Sequence, residues 1–296
     1  MRRLAPLLAL LGPALAACNG RDEYCGRRYS AMTHMGAHNS AFVGTLPTHN
    51  QYVSAAAQLD LGVRFLQLQT HAAPGAGAGG GSIELCHTYC WELDAGPLDA
   101  YLRALAAWMG MHPDEVVTLL LTNGDRIPVE AFDAAFRRAG LVQYVLRPRG
   151  VMAKEEWPTL GEMIDAGTRL VVFMDYGMDQ TKVDYIINEF DYFWETPYGI
   201  TDKTFPTCAV DRPPGGDPGR LMGIMNHMLN YRLGDVVFPN QPDAARTNSK
   251  ASIQAQVARC VAAWSHQPNV VLLDWVNIGE VAAAGLALNG LVRVAA

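Results

Sequence analysis

The sequence has few charged residues and no cluster of one charge sign. Only 18% of its 296 residues are Asp, Glu, Lys or Arg, and the formal net charge is −6. A nucleic-acid-binding protein needs a stripe of basic residues against the phosphate backbone, so we expect no nucleic-acid partner. Half of the residues are hydrophobic, which is enough to bury a large core and argues against a disordered or fibrous chain.

The N-terminal apolar run is too short to cross a bilayer, which takes about 20 residues. This run covers residues 4–15 and lies between Arg2-Arg3 and the small residues Ala16 and Ala17. Positive charge, an apolar run and small residues, in that order, are typical of a secretory signal peptide. We therefore predict a signal peptide at 1–17, a domain at 18–296 and secretion of the protein, with no transmembrane segment.

Cysteine is scarce, and the sequence contains no Asn-x-Ser/Thr site for N-glycosylation. No second close Cys or His pair accompanies Cys86-x3-Cys90, so we do not expect a zinc site. In an oxidising compartment an even number of cysteines indicates disulfides. Close spacing favours two pairs and leaves a third: Cys18–Cys25, Cys86–Cys90 and Cys208–Cys260. The alternative use of Cys18 is a lipid anchor, because Leu15-Ala16-Ala17-Cys18 resembles a bacterial lipoprotein processing site.

Strand-like and helix-like segments alternate along most of the chain. Continuous apolar runs predict buried strands, and apolar residues at helical spacing predict helices. The predicted strands are 29–36, 63–69, 83–85, 116–121, 170–174, 221–226 and 270–275, and the predicted helices are 97–111, 129–139, 160–165, 182–189 and 252–264. This alternation without a clear linker favours a single-domain α/β fold, a (β/α)8-type TIM barrel that is closed, distorted or incompletely closed, over a doubly wound sheet.

Polar residues follow several of these strands at the end where a barrel carries its chemistry. They include His38, His87 and Asp274. One histidine at such a position is more often a surface or hydrogen-bonded residue than a catalyst. Two imidazoles and a carboxylate that face one cavity would instead supply a general base, a general acid and an orienting group.

Six segments carry a family resemblance: MTHMGAHNS (32–40), LDLGVRFLQLQTH (59–71), ELCHTYCWELDAGPL (84–98), HPDEVVTLLLTNGD (112–125), WPTLGEMIDAGTRLVVFMDYG (157–177) and NVVLLDWVNIG (269–279). They resemble the phospholipase-C-like phosphodiesterases, the superfamily of the X domain of phosphatidylinositol-specific phospholipase C. The similarity is greatest to secreted fungal members. It implies a (β/α) barrel that cleaves phosphodiesters.

The resemblance also implies three catalytic residues. His38 matches the general base after the first strand, His87 matches the general acid, and Asp274 matches the aspartate that orients the base. Cleavage through a neighbouring hydroxyl needs one imidazole to take the hydroxyl proton and a second to protonate the leaving oxygen. Histidine suits both roles because its pKa ordinarily lies near ambient pH.

The sequence does not match the positively charged group, calcium or arginine, that the family places beside the phosphate. Asn39 stands where the calcium-dependent members bind the ion, but Gln67 and Gln69 replace their two acidic ligands, and a further ligand falls near Thr122. Calcium favours several hard oxygens, usually including carboxylates, so we expect no cofactor and keep Asn39 only as a weak candidate metal ligand. The metal-free bacterial members have an arginine at the position of Gln69. We expect Asn39, Gln67 and Gln69 to line a phosphate pocket without these charges.

Arg126 is the candidate for the missing positive charge, because it follows the fourth strand at the end where a barrel carries its chemistry. The alternative interpretation is that Arg126 is a solvated loop residue. Loss of a preorganised donor typically costs about two to three orders of magnitude in rate. We interpret Arg64 as structural. His34, His71 and His227 are weaker candidates.

The leading hypothesis is a secreted, monomeric phosphoric diester hydrolase of lipid metabolism, acting on a phospholipid or another small phosphodiester. The first alternative is a weakened or inactive barrel that binds a phosphorylated or sugar ligand. The second is a glycosidase, which needs two carboxylates at strand ends about 5 to 10 Å apart. Its candidates are Asp125, Asp175 and Asp274.

Overall fold

The structure, a computed structural model, describes residues 17–73, 82–234 and 236–291. The predicted signal peptide lies outside these residues except for Ala17. The strands are β1 (His34–Ala37), β2 (Phe65–Ala72), β3 (Ile83–Cys86), β4 (Asp94–Pro97), β5 (Val117–Thr122), β6 (Leu170–Met174), β7 (Ile186–Asn188), β8 (Phe193–Glu195), β9 (Met222–Asn226), β10 (Asn230–Leu233), β11 (Val236–Pro239) and β12 (Val270–Leu273).

The helices are α1 (Asp22–Cys25), α2 (Ala55–Asp60), α3 (Leu98–Met111), α4 (Val129–Ala139), α5 (Leu160–Asp165), α6 (Ala244–Thr247), α7 (Lys250–Trp264) and α8 (Val281–Leu288). Local sequence signals explain several ends. Thr159 and Glu162 form a capping box at the start of α5, and Gly140 ends α4 in the left-handed conformation at φ 75°. None of the helices in the described ranges is both long and apolar enough to span a membrane.

Eight parallel strands form a curled sheet in the order β7-β6-β5-β2-β1-β12-β9-β8. The first strand pairs with the last, since β1 lies beside β12 in parallel register. The two end strands, β7 and β8, are not paired with each other in the described part of the chain. The fold is therefore an α/β barrel left open between β7 and β8, which confirms the prediction of a barrel and shows that it is incompletely closed.

Alternation along the strands separates two apolar layers. In β5, Leu119 and Leu121 pack toward the surrounding helices, whereas Leu120 belongs to the cluster inside the barrel. In β12, Leu273 faces outward and Leu272 faces inward. Because side chains alternate along a strand, the inward positions near or just beyond the carboxyl ends of the strands bring polar residues to the barrel mouth: His38, Gln67, Gln69, Thr122, Asp175, Asn226 and Asp274.

Two predicted elements were wrong in part. Only residues 34–36 of the predicted strand 29–36 belong to β1, because Tyr29–Ala31 forms a 3-10 turn instead. There Tyr29 stacks on Trp157 with ring centroids 4.6 Å apart. The predicted helix 182–189 is instead the short strand β7, followed by the 3-10 turn Glu189–Asp191.

The three predicted disulfides are confirmed: Cys18–Cys25, Cys86–Cys90 and Cys208–Cys260. The sulfur of Cys18 is bonded to Cys25, so this structure does not support the alternative of a lipid anchor at Cys18. The Cys86–Cys90 bond closes a five-residue loop at the end of β3, and His87 lies inside that loop.

Candidate active site

His38 and Asp274 meet at the carboxyl ends of β1 and β12. The two strands are in register at Ala37 and Leu273, so the next residue of each falls beside the other. His38 Nδ1 lies 2.8 Å from Asp274 Oδ1, and Asp274 is almost fully buried. A carboxylate accepts the Nδ1 proton, which leaves Nε2 as the basic nitrogen. This arrangement suits an oriented general base.

Asn50 joins this pair to Asn39, a role that the sequence did not indicate. Asn50 Nδ2 donates to Asp274 Oδ1 at 3.0 Å, and Asn39 Nδ2 donates to Asn50 Oδ1 at 3.0 Å. Asn39 itself has φ 47°, a left-handed conformation that asparagine tolerates better than most residues. The chain turns sharply after His38 as a result, and three side chains are fixed in one network.

The side chains of the two glutamines of β2 form hydrogen bonds with the protein backbone rather than with a charged ligand. Gln67 Oε1 accepts a hydrogen bond from the Asn39 N–H at 2.7 Å, and Gln69 Oε1 accepts one from the Thr88 N–H at 3.0 Å. Gln67 therefore fixes the turn after His38, and Gln69 fixes the loop that carries His87. Both also line the cavity described below.

His87 lies across the mouth from His38. Its backbone N–H donates to Leu93 O at 3.0 Å, and its ring packs edge-on against Phe42 at 5.3 Å. Burial, together with the electrostatic influence of His38 and His49, lowers the pKa of His87 to about 4. His38 and His87 line the same cavity of about 280 Å³.

A larger adjoining cavity of about 390 Å³ extends from His38 into the barrel and contains a cation. This cation is Arg212, whose Nη2 donates to Glu195 Oε2 at 2.7 Å while its Nε has no hydrogen-bond partner. A second arginine, Arg232, lines the cavity that the two histidines share. Positive charge thus lines the cavities that contain the histidines, although Arg212 lies in a loop and Arg232 on β10, and the sequence singled out neither residue.

Three carboxyl groups lie in the floor of the larger cavity. Burial, with the neighbouring Glu195 carboxylate, raises the pKa of Glu189 well above its usual range. Burial also opposes ionisation of Glu195, but hydrogen bonding to Glu189 and the Arg212 guanidinium outweigh it and lower its pKa. Burial raises the pKa of Asp175 to about 6. Burial and the neighbouring carboxylate thus favour the protonated form of Glu189, and Glu195 forms an ion pair with Arg212.

The remaining sequence candidates lie away from the two histidines or serve the fold. Arg126 is exposed, its guanidinium stacks over Tyr176, and it is not among the residues that line either cavity. Arg64 is bound to Glu115 at the opposite end of β2. His71 lines the larger cavity and pairs with Asp125 at 3.1 Å.

His34 and His227 are buried in the fold. Burial lowers the pKa of His34 to about 4. His227 is hydrogen-bonded to Gln256 and to Thr247 O, and burial lowers its pKa as well. Both rings serve packing, and neither lines either of the two mouth cavities.

The donors at the calcium position of the family do not fit calcium. The side-chain oxygens of Gln67 and Gln69 each accept a backbone N–H, and Asn39 Oδ1 is a neutral amide oxygen. Calcium sites generally combine six to eight oxygens and include carboxylates. In the cavity floor, Glu189 interacts with Glu195 and Glu195 with Arg212, while Asp175 accepts a hydrogen bond from the Asn123 N–H.

Comparisons with known proteins agree with this architecture. The family model PI-PLC X 1 matches residues 24–289. A PI-PLC X domain-containing protein 1 of Arthroderma benhamiae is 45% identical over 278 residues, which cover 93% of this chain and 90% of the relative. An uncharacterised secreted protein of the same fungus is 40% identical and is covered to 61% of its length, against 89% of this chain.

Solved structures of bacterial phosphatidylinositol-specific phospholipase C share the fold at low sequence identity. A Staphylococcus aureus variant superposes with a TM-score of 0.60 at 14% identity, covering 90% of this chain and 94% of that one. The Listeria monocytogenes enzyme superposes with a TM-score of 0.55 at 14% identity, covering 90% and 95%. With the family model and the fungal relative, the conclusion is that this chain belongs to the PI-PLC X domain family.

Proposed function

We propose that the protein is a secreted phosphodiesterase that cleaves a phospholipid through a hydroxyl next to the phosphate. His38 Nε2 takes the hydroxyl proton, the oxygen attacks phosphorus, and the bond to the leaving oxygen breaks as His87 donates a proton to it. A cyclic phosphate is the product. The observation that carries this proposal is that His38 and His87 line one cavity and that Asp274 is bonded to His38.

The arginines of the two cavities supply the charge stabilisation that the reaction needs. Arg212 and Arg232 are placed to offset negative charge on a phosphate held between the histidines. This favours the enzyme over an inactive binding barrel. It also lets the reaction proceed without calcium, which is part of the proposal.

A glycosidase is less compatible with the carboxyl groups of the mouth. Asp274 is bonded to His38 and Asp125 to His71, while burial raises the pKa of Asp175 to about 6. Glu189 and Glu195 interact directly, so they are too close for the separation that either glycosidase mechanism requires.

Exposed aromatic residues beside His87 support a lipid substrate. Tyr89 and Trp91 stack at 5.7 Å, and 83% of Trp91 is exposed. An exposed aromatic pair at the edge of a cavity offers an apolar contact with a polar rim. The bacterial structures with this fold are phosphatidylinositol-specific phospholipases C, which supports a phospholipid as the substrate class. The secreted fungal relative and the disulfides support export.

The test is an assay on phosphatidylinositol vesicles and on glycerophosphodiesters, with and without chelator. Wild type is compared with His38→Ala, His87→Ala and the control His266→Ala, whose ring bonds to Pro218 O near the opposite end of the barrel. We expect the two cavity variants to lose at least about 100-fold in rate, the control to retain it, and the chelator to have no effect. Equal turnover by all four proteins contradicts the mechanism, and loss of wild-type activity in chelator contradicts the metal-free proposal. Ligand binding without any turnover favours the binding barrel.

A further inference from the structure

The second ring nitrogen of the proposed acid is buried without a hydrogen-bond partner. His87 Nδ1 has no donor or acceptor within hydrogen-bond distance. The nearest acidic atom is Glu92 Oε1 at 3.9 Å. Within the described ranges, this is the one carboxyl group within 4 Å of the His87 ring nitrogens. The contact is slightly too long for a hydrogen bond and short enough for an electrostatic interaction.

Burial and the histidines that face His87 from other elements leave little of it in the protonated form. Burial is the largest cause, and His38 just after β1 and His49 in the following loop also disfavour its protonation. With a pKa of about 4, only about 1% of His87 would carry a second proton at pH 6. A general acid must be protonated when the leaving oxygen departs. A carboxylate beside the second ring nitrogen would favour the imidazolium form.

Glu92 is tied to the same small loop as His87. The Cys86–Cys90 disulfide closes the loop, the Glu92 N–H donates to Tyr89 O at 2.9 Å, and the His87 N–H donates to Leu93 O at 3.0 Å. The backbones of the two residues are consequently held together. The Glu92 side chain is 28% exposed, and its carboxylate needs to move by about 1 Å to come within hydrogen-bond distance of Nδ1. Catalytic hydrogen bonds are often long before substrate binds.

We propose that Glu92 is a positioning residue for His87, accepting a hydrogen bond from Nδ1–H and stabilising the imidazolium that protonates the leaving oxygen. The mouth then contains two parallel pairs, His38 with Asp274 and His87 with Glu92. This inference rests on the proposed function for the role of His87. The pairing itself does not depend on which substrate is cleaved.

The test separates the pairing from the activity. The pKa of the His87 ring is measured by NMR titration of histidine side chains in wild type, Glu92→Gln and the control Glu84→Gln, which removes a carboxylate on β3 that bonds to Ser82. We expect Glu92→Gln to lower the His87 pKa by about one pH unit and the control to leave it unchanged. An unchanged His87 pKa in Glu92→Gln overturns the pairing, whether or not the enzyme is active.

The rate profile then tests the catalytic role. For phosphatidylinositol cleavage, we expect the alkaline limb of kcat in Glu92→Gln to move to lower pH by a similar amount, with KM nearly unchanged. A merely structural role for Glu92 would lower the amount of folded enzyme without moving this limb. A shifted His87 pKa with an unmoved limb overturns the role of Glu92 in proton donation. A wild type without turnover on any phosphodiester overturns the proposed function, while the titration still decides the pairing.

Discussion

Asn50 donates a hydrogen bond to the same oxygen of Asp274 that His38 Nδ1 contacts. The distances are 3.0 and 2.8 Å, and Asn39 holds the Asn50 amide from the other side. Asn50 therefore holds the Asp274 carboxylate in place, and this carboxylate in turn orients His38, the proposed base. No pattern in the sequence marks this residue, because it lies in a loop whose position depends on contacts with two distant segments.

Asn50→Ala tests this relationship. Removal of a hydrogen bond to a charged group costs about 1.5 to 3 kcal/mol, so we expect kcat to fall about 10- to 100-fold while KM changes little. The control is Asn19→Ala, which removes a hydrogen bond to the Val116 N–H at the other end of the barrel. Equal kcat values in Asn50→Ala and wild type would show that Asp274 holds His38 without this help.

Substitution of Gln69 tests whether this residue of β2 holds the loop that contains His87. Its side-chain oxygen accepts the Thr88 N–H, so Gln69→Leu should release that amide, whereas Gln69→Glu keeps an acceptor. One such bond contributes about 1 kcal/mol, which corresponds to about fivefold faster hydrogen exchange at Thr88 in Gln69→Leu. Unchanged exchange at Thr88 in Gln69→Leu would contradict the assignment.

Arg212 and Glu195 form an ion pair, and substitutions can distinguish its contribution to stability from its contribution to activity. Arg212→Met leaves Glu195 charged and 2% exposed, a loss that typically costs about 3 to 5 kcal/mol of unfolding free energy. The double variant Arg212→Met/Glu195→Gln should recover most of that stability. We expect both variants to remain at least about 100-fold slower than wild type, since each lacks the cavity cation. Recovery of activity with stability would mean that Arg212 is only structural.

Asp175 gives a pH dependence of stability with a definite sign. Burial raises its pKa from 3.8 to about 6, so the folded protein retains a proton that the unfolded chain has lost between these values. The contribution of Asp175 to the free energy of unfolding is therefore fully present below about pH 4. It declines by about 3 kcal/mol as the pH rises to about 6. Asp175→Asn should unfold at higher denaturant concentration than wild type at pH 7 and not at pH 3.5. The exposed Asp22→Asn serves as the control, and an equal gain at both pH values would contradict the assignment.

Continuous apolar runs and the family resemblance explain why much of the site could be predicted. Leu119 and Leu121 belong to a long apolar strand whose pattern is visible in the sequence, and the segments with His38, His87 and Asp274 carry a family resemblance. Short elements could not be predicted in this way. Strand β7 has three residues (Ile186–Asn188), too few to show a period, and its neighbours happen to repeat at helical spacing.

The cation of the larger cavity shows a second limit. Arg212 lies in a Pro/Gly-rich loop, and its place follows from backbone pairing with Glu195 on β8, where the Glu195 N–H donates to Arg212 O at 2.7 Å. That contact depends on a strand that was not predicted. Arg126 was chosen instead because its distance from a visible strand was known, whereas its side chain turns away onto Tyr176.

The most direct test of the central claim compares two leaving groups in the wild type, His38→Ala and His87→Ala proteins. Inositol phosphodiesters that carry either an alkyl alcohol or p-nitrophenol as the leaving group are assayed, and the cyclic phosphate product is followed by phosphorus NMR. Because p-nitrophenolate departs without a proton, we expect His87→Ala to regain most of its rate on that substrate and His38→Ala to remain slow on both. Equal losses for the two variants on both substrates, or a product without a cyclic phosphate, would contradict the assignment of base and acid.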